Sequence, residues 1–433
     1  MEYQLGRYKV KSECNSKVWI FNHYATDMFE NHGGRHYWFA KYLIENGYDT
    51  MIFCANTYHN KEKKIKIDKS IYKIETCDNI PFVFVKTISS LGNGIKRILN
   101  MLIFYFNIFS VAKRIKKIHK PDIILASSVH PLTMIAGIKI AKKLGIPCIC
   151  EIRDLWPEAI FTHGKIKENS ILGKILINRE HWIYKKADSL IFTKPGDIDY
   201  LKEKKWTTDL GGDINIGKCH YINNGVDLVD FNSMKTKQTI KDIELEDINK
   251  FNIIYTGAIR PVNNINCILD AAKILKDEKN IRFLIYGDGN QLKKMKDRVE
   301  KEDLNNVVIK GFVNKKYIPY ILSKASVNIL NYSSELYNWK RGNSSNKLFE
   351  YMASGKPIIS TVKMGYDFIQ KYECGISLNN NKEKDLAEAI LFLKNINKTD
   401  YKTMCYNSLK ASKDFNITKN VDALIEIIEQ IKK

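Results

Sequence analysis

Short, almost uninterrupted runs of apolar residues recur along the first half of the chain, and most are followed by a stretch with helical spacing of apolar positions. Apolar runs without polar alternation are typical of strands buried on both faces, and their alternation with helices indicates a parallel sheet covered on both sides. The lysine-rich residues between the second and third runs are predicted to form a linker. The predicted strands lie at 17–22, 49–55, 81–87, 121–128 and 146–154, and residues 182–194 are predicted to form a helix that runs into a further strand.

The second half repeats this rhythm, so we predict an α/β protein with two tandem Rossmann-like domains. The weakly patterned, glycine-rich stretch 209–218 marks the boundary between them, and the polar stretch 234–250 is expected to be a surface insertion. The second set of predicted strands lies at 220–227, 251–260, 281–290, 307–313, 326–332 and 356–361. The predicted organisation is a first domain over 1–215, a second domain over 216–410 and a C-terminal helix over 411–433 that packs on the first domain.

The chain has 433 residues and a formal net charge of +21, spread over both halves. A diffuse positive charge is compatible with nucleic acid, an anionic membrane surface or anionic small substrates, and equally with a genome-wide bias toward lysine. The nine cysteines are scattered without a CxxC pair, and Cys148 and Cys150 lie in an apolar run. Free thiols and, without a secretory leader, a cytoplasmic location are therefore expected.

Residues 95–120 combine an apolar, aromatic centre with lysine and arginine on both sides. No apolar run reaches the roughly 18 residues needed to span a bilayer, so we expect no transmembrane segment. Two interpretations stay open: an in-plane helix on an anionic membrane surface, or a buried domain helix with a basic end.

The stretch SSNKLFEYMASGKP, residues 344–357, predicts a helix with Ser344 and Ser345 as N-caps and Gly355 at its end. Lys347 falls in the first turn, where the helix dipole disfavours a cation. A bound diphosphate would remove this conflict, and Glu350 on the same face would then hold ribose hydroxyls. The alternative is a surface Lys–Glu pair on a capped helix.

Other candidate site residues follow predicted strands, where ligands bind in open parallel sheets. Gly287, Asp288 and Gly289 form a tight turn that offers close backbone approach to a nucleotide base, or is a plain turn. Gly33 and Gly34 precede a helix but lack the dinucleotide-binding spacing. We also select the strand-end residues His130, Glu151, Arg153 and Asp154 as catalytic candidates. The alternative is a structural histidine for His130 and a structural Arg–carboxylate network for the other three.

Several of these segments, in order, resemble retaining family-four glycosyltransferases of GT-B fold, closest to the branch that builds bacterial capsule and O-antigen polysaccharides. The resemblance implies an active site in the cleft between the domains and hexosyl or N-acetylhexosaminyl transfer. It further implies a nucleotide diphosphate sugar donor, by family default UDP-linked, and a polyprenyl-diphosphate-linked saccharide acceptor at the inner face of the cell membrane. The segments that carry it are the Gly33–Gly34 loop, PDIILASSVHP (121–131), EIRDLWPE (151–158), INNGVD (222–227), YTGAIRPVNNI (255–265), YGDGNQL (286–292) and NKLFEYMASGKPII (346–359).

For individual residues, the resemblance implies that Glu350 binds the donor ribose and that Lys347 and the backbone of Asn346–Leu348 bind the diphosphate. It places His130 near the donor sugar, and Gly33–Gly34 against the donor phosphates and the acceptor.

Three positions depart from the family pattern. Gly342 replaces a glutamate that faces the donor sugar, and Ala258 and Asn263 replace an Arg/Lys phosphate-binding pair. Arg260 is the candidate substitute for that pair.

We expect no metal cofactor, because the one Asp-x-Asp, Asp197–Asp199, is placed to begin a helix rather than to end a strand. The rival functions are a nucleotide-sugar epimerase or phosphorylase-like enzyme of the same fold, a basic nucleic-acid-binding protein and an NAD-linked oxidoreductase. Dispersed lysines and the missing dinucleotide fingerprint count against the last two.

Overall fold

The computed structural model describes residues 15–58, 62–89, 94–128, 130–162, 164, 166–336 and 338–432. The chain divides into two compact units, passing from the first to the second after Asn223 and returning to the first after Asn416. Each unit is built on its own sheet, and the two Rossmann-like α/β units agree with the predicted fold class.

The first unit contains an eight-stranded sheet in the order β3-β4-β2-β1-β5-β6-β7-β8, parallel except for the antiparallel pair β3–β4. Its strands are β1 (Lys17–Phe21), β2 (Asp49–Ala55), β3 (Tyr72–Cys77), β4 (Ile80–Val85), β5 (Ile123–Ser127), β6 (Cys148–Ile152), β7 (Ser189–Phe192) and β8 (Cys219–Tyr221). Its helices begin with α1 (Thr26–Asn31), α2 (Arg35–Glu45), α3 (Ile95–Ile115), α4 (Pro131–Leu144), α5 (Trp156–Thr162), α6 (Ile171–Lys186) and α7 (Asp197–Glu203).

Alternate residues of the strands enter two different hydrophobic cores, because successive side chains of a strand point to opposite faces. In β1, Trp19 and Phe21 pack on the side of α3, α4 and α6, whereas Val18 and Ile20 pack on the side of α2. Both faces are thereby buried, which explains the continuous apolar runs in the sequence.

The predicted linker contains a strand that the sequence analysis missed. β3 pairs antiparallel with β4 through a tight turn at Asp78 and Asn79, both with positive φ. β3 lies at the edge of the sheet and is only partly buried, so it lacks the apolar run that identified the other strands.

The second unit contains six parallel strands in the order β11-β10-β9-β12-β13-β14, the Rossmann order. They are β9 (Phe251–Thr256), β10 (Ile281–Tyr286), β11 (Val307–Gly311), β12 (Val327–Leu330), β13 (Ile358–Ser360) and β14 (Gly375–Ser377). The helices are α8 (Leu228–Lys237), α9 (Ile243–Glu246), α10 (Ile265–Ile274), α11 (Leu292–Lys301), α12 (Ile318–Ser323), α13 (Asn346–Ser354), α14 (Phe368–Lys371), α15 (Glu383–Asn395) and α16 (Lys398–Asp414).

The boundaries between the units differ from the predicted ones. The sequence placed the first boundary at 215/216, but β8 pairs with β7 and so completes the first sheet before the chain leaves it. The last helix, α17 (Ile417–Lys432), begins later than the predicted 411, because α16 still belongs to the second unit. The apolar face of α17 lies in the same core as that of α2.

Candidate active site

The strand order of the second unit reverses between β9 and β12, which are adjacent although three connections separate them in sequence. In open α/β sheets the loops at this switch point form the ligand-binding crevice. The loop after β9 carries Gly257–Asn263 and the loop after β12 carries Tyr332. The start of α13 contacts both through Lys347.

The first turn of α13 is not capped by a serine side chain, contrary to the prediction for Ser344 and Ser345. Ser345 occupies the N-cap position, but its hydroxyl accepts no hydrogen bond from the helix and is buried without a partner. At the other end Gly355 has φ 69°, which confirms the predicted glycine stop. The helix start therefore keeps amide donors and a positive dipole end that no side-chain cap satisfies.

Lys347 lies in an aromatic cage beneath these loops. Its Nζ is 4.4 Å from the centre of the Tyr332 ring and 4.9 Å from that of Tyr255. With the Asn263 amide oriented so that its nitrogen donates to the Ala258 carbonyl, its oxygen accepts from Nζ at 3.1 Å. A Cβ at Gly257 would lie 2.9 Å from the Lys347 Cδ, so the side chain fills the space that this glycine leaves.

No carboxylate of the described residues lies within ion-pairing distance of the Lys347 ammonium. Burial lowers its pKa to about 7, and the carboxylate of Glu350 only partly opposes this shift. Ring faces and an amide oxygen stabilise a cation less than a full negative charge does. An anion at the start of α13 would supply the missing countercharge.

Glu350 lies one turn further along α13. Its side chain is 16% exposed, and one oxygen lies 3.5 Å from the Nζ of Lys315, which is itself largely exposed. A long ion pair to a largely exposed lysine is weak. The carboxylate is therefore accessible as an acceptor for hydroxyl groups.

The glycines after β10 have a packing role. A Cβ at Gly287 would lie 1.7 Å from the Gly257 carbonyl oxygen, and one at Gly289 would lie 2.2 Å from that of Ile259. The neighbouring loop fills these positions, so packing between loops accounts for both glycines. Asp288 is exposed, and a contact of this turn with a nucleotide base stays a prediction.

The positions that depart from the family pattern, and Arg260 beside them, have distinct surroundings in the structure. Arg260 is exposed directly before the short turn that carries Asn263. Asn263, at one position of the missing pair, instead accepts from the Lys347 Nζ. Gly342 has φ 96°, a backbone conformation that disfavours the glutamate the family pattern would place there.

In the first unit, His130 begins α4 at the other switch point, between β1 and β5. Its Nε2 lies 2.6 Å from the Nδ1 of His23, which follows β1, and both rings are buried. Burial and the positive charge of Arg97 lower the pKa of His130 to about 3, so its ring is neutral near pH 7. His23 was not among the residues selected from the sequence. Only its position after a strand could have pointed to it.

Glu151 is the centre of a buried network. One carboxylate oxygen accepts from the Arg35 Nε at 2.6 Å, and the other is 2.8 Å from the His36 Nε2 and 2.7 Å from the Ser127 hydroxyl. The Arg35 guanidinium also donates to the carbonyls of Ile222 and Asn223. Burial would raise the pKa of Glu151, but Arg35 and His36 hold it well below its usual range.

Glu151 is thus held by buried partners in a network whose arginine is Arg35, which the sequence did not indicate, and the catalytic role of Glu151 stays a prediction. The sequence grouped Glu151 with Arg153 and Asp154. Arg153 instead has a partly exposed side chain, and Asp154 is exposed with the Lys194 Nζ 3.2 Å away.

Gly34 precedes the two basic residues of this network. Its φ of 114° is one that side chains rarely adopt, and a Cβ there would lie 3.0 Å from Met28. The glycine allows the chain to turn into α2 so that Arg35 and His36 point into the core. Gly33 is partly exposed beside Trp38.

Two Rossmann-like units in one chain are typical of the GT-B architecture of glycosyltransferases. Solved structures with this architecture superpose on the chain. The UDP complex of HepE from Anabaena superposes with a TM-score of 0.64 and 12% identity over 96% of this chain and 100% of that one. Sucrose-phosphate synthase from Thermosynechococcus elongatus gives 0.69 and 14% over 96% and 99%.

Each half of the chain matches a family of glycosyltransferase domains. Residues 37–230 match Glycosyltransferase Family 4, and residues 236–411 match Glycosyl transferases group 1. The chain therefore carries the two domains of a GT-B glycosyltransferase.

Three curated relatives bear glycosyltransferase names. The chain is 27% identical to MJ1178 of Methanocaldococcus jannaschii over 41% of its own length and 48% of the relative. It is 21% identical to WbjE of Pseudomonas aeruginosa over 67% and 68%. TuaH of Bacillus subtilis, whose name assigns it to teichuronic acid biosynthesis, gives 26% over 52% and 54%. The alignments thus span about half the length of two of the three relatives.

Proposed function

We propose that the protein is a retaining glycosyltransferase that moves a sugar from a nucleotide diphosphate sugar, UDP-linked by preference, to a lipid-linked saccharide. The observation that carries the proposal is Lys347, which lies over two tyrosine rings at the start of α13 and has no carboxylate partner among the described residues. A diphosphate is the ligand class that suits both this lysine and a helix start whose amides no side chain caps.

In this proposal the diphosphate lies against the backbone of Asn346–Leu348 and the Lys347 ammonium, with Arg260 as a second cation. The ribose hydroxyls donate to Glu350. The UDP complexes of HepE support the choice of nucleotide, and no metal cofactor is part of the proposal.

The reaction proposed is substitution with retention. The bond between the anomeric carbon and the diphosphate oxygen breaks, and the acceptor hydroxyl attacks from the same face. Its proton passes to the departing diphosphate oxygen, while the helix start, Lys347 and Arg260 stabilise the developing negative charge. His130 lies near the donor sugar in this scheme as a neutral hydrogen-bonding group.

The name of TuaH, which assigns that protein to teichuronic acid biosynthesis, supports a role in building bacterial surface polysaccharide. We further propose a polyprenyl-diphosphate-linked acceptor that the first unit binds at the inner face of the membrane.

The test of the donor site is the affinity for UDP and for 2′-deoxy-UDP, measured by calorimetry. The native protein is expected to prefer UDP by about 10- to 100-fold, the range of a hydrogen bond to a charged group. Glu350→Gln is expected to lose this preference, because it removes the charged acceptor for the ribose hydroxyl.

The matched control is Lys315→Ala, which removes the surface partner of Glu350 and should keep the preference. Equal affinity of the native protein for both nucleotides would contradict the role of Glu350. Failure to bind any nucleotide diphosphate would contradict the class of function, and conversion of a labelled nucleotide sugar without an acceptor would favour the epimerase.

The membrane contact proposed in this function involves α3. By length and composition alone this helix is apolar enough to cross a membrane, although 33% of its apolar window is buried in the unit. Its buried face includes Phe104 and Ile108, and its other face exposes Ile95, Ile98 and Phe106, the last at 64%. Exposed apolar side chains beside Lys113 and Arg114 fit an anionic bilayer surface.

We expect the protein to co-sediment with phosphatidylglycerol vesicles at moderate salt and not with phosphatidylcholine vesicles. Phe106→Ser is expected to reduce this binding several-fold, since it removes a large apolar contact. Phe312→Ser, at an equally exposed phenylalanine of the second unit, is the control and should bind as the native protein does. Indifference of the native protein to anionic vesicles would exclude this contact.

A further inference from the structure

Three potential metal ligands converge beside the β3–β4 turn of the first unit. His32 follows α1, Cys77 ends β3 and Asp78 is in the turn. One ligand atom from each lies within 4.8 Å of the other two, and no other group of three or more such residues occurs in the described part of the chain.

The distances between these atoms resemble those around a tetrahedral metal ion. The Cys77 Sγ is 3.3 Å from the His32 Nδ1 and 3.5 Å from the Asp78 Oδ2. Zinc–ligand bonds of about 2.0–2.3 Å at tetrahedral angles separate neighbouring ligands by about 3.4–3.6 Å. The third distance, 2.6 Å between the His32 Nδ1 and the Asp78 Oδ2, is a hydrogen bond that a metal ion would replace and widen.

The backbone fixes the three residues independently of any metal. Cys77 pairs with Ile80 in the β3–β4 ladder, and Asp78 has φ 50° in the turn. His32 has φ 46° as the residue that ends α1. The thiol of Cys77 is buried, whereas the His32 and Asp78 side chains are 61% and 49% exposed, so an ion would have protein on one side and water on the other.

We infer that His32, Cys77 and Asp78 form a binding site for a thiolate-preferring divalent cation, zinc above all, with water as the fourth ligand. A nitrogen, sulfur and oxygen donor set of this kind suits zinc rather than magnesium or calcium. On binding, the thiol releases its proton to solvent, and the imidazole coordinates through Nδ1 with its proton on Nε2.

A metal here would hold His32 against the β3–β4 turn, and His32 directly precedes Gly33–Gly34. The ion would thus stabilise the chain that leads into α2. The site lies in the first unit and does not depend on the proposed transferase function.

The test is titration of the purified full-length protein with Co²⁺, followed by displacement with Zn²⁺. A tetrahedral cobalt–thiolate site gives a near-ultraviolet charge-transfer band and strong visible bands. We expect saturation near one equivalent, loss of the charge-transfer band in Cys77→Ser, and affinity about 10-fold or more weaker in His32→Gln.

Cys219→Ser and Cys405→Ser, at two half-buried cysteines elsewhere, are the controls and should keep the band. Circular dichroism checks that each variant is folded. Absence of a thiolate band in the native protein, its persistence in Cys77→Ser, or equal loss in the control variants would overturn the inference.

Discussion

Replacing Lys347 with methionine is expected to reduce turnover by about 100- to 1,000-fold, the usual effect of removing one preorganised group that stabilises a leaving charge. Methionine keeps an unbranched side chain of similar length and removes the ammonium that lies over the rings of Tyr255 and Tyr332. Affinity for UDP should fall by about 10- to 100-fold, since a charge-assisted contact is lost. Steady-state kinetics and calorimetry measure the two effects.

The same substitution should stabilise the protein. The pKa of Lys347 is lowered to about 7 by burial, whereas an unfolded lysine titrates near 10.5. Between pH 10.5 and pH 7 the lysine is protonated in the unfolded chain but largely neutral in the folded chain. The free energy of unfolding therefore falls as the pH drops toward 7 and then levels off. The gain in melting temperature of Lys347→Met should therefore grow between pH 10 and pH 7.

UDP affinity should have the opposite pH dependence. A bound diphosphate favours the charged lysine, so binding is strongest below pH 7 and weakens as the pH rises through that value. Comparing Lys347→Met with the native protein cancels the ionisation of the nucleotide itself.

Lys356→Met is the matched control, because burial also lowers the pKa of this lysine just beyond the other end of α13. It should bind UDP normally. Unchanged UDP affinity in Lys347→Met, or equal losses in both variants, would exclude Lys347 as the phosphate contact.

Replacing Glu151 with alanine is expected to destabilise the first unit by about 3–5 kcal/mol, because it leaves the buried Arg35 without its carboxylate. His36 and Ser127 lose a partner at the same time. The pKa of Glu151 is held well below its usual range, so this stabilisation is present above about pH 4.5 and is lost as the pH falls further. Denaturant unfolding, followed by the tryptophans of the first unit, measures the change.

Arg153→Ala is the control for this experiment. Arg153 has a partly exposed side chain without an ion pair among the described residues, so its removal should change stability by less than about 1 kcal/mol. If Arg153 is catalytic, as predicted, the variant stays folded and loses turnover. An Arg153 variant as unstable as Glu151→Ala would contradict the separation of the two roles.

The local pattern of apolar residues and glycines was sufficient to predict many strands and helix ends of this protein. Continuous apolar runs identified the central parallel strands, and Gly355 identified the end of α13. Asp197 does begin a helix, as its position after a glycine turn predicted. The conflict between Lys347 and the helix dipole could be read from fourteen residues, because helix periodicity and end effects act within a few residues of one another.

The local sequence pattern could not predict contacts between distant segments. Arg35 and Glu151 are separated by 116 positions, and nothing near either residue names the other. The cage around Lys347 needs β9 and β12 to be neighbours, which the order of strands in the sheet determines. The edge strand β3 and the place of β8 likewise depend on pairing partners.

The sequence by itself determined the class of fold and the position of the helix start at which we propose that a diphosphate binds, since both follow from short-range periodicity and from charge near a helix end. Only the tertiary structure decided that the Glu151 carboxylate is buried against Arg35 and His36, and that Lys347 lies over aromatic rings with no carboxylate partner among the described residues. The physical reason is that burial and electrostatic partnership are properties of the three-dimensional surroundings, which the strand order assembles from residues far apart in the chain.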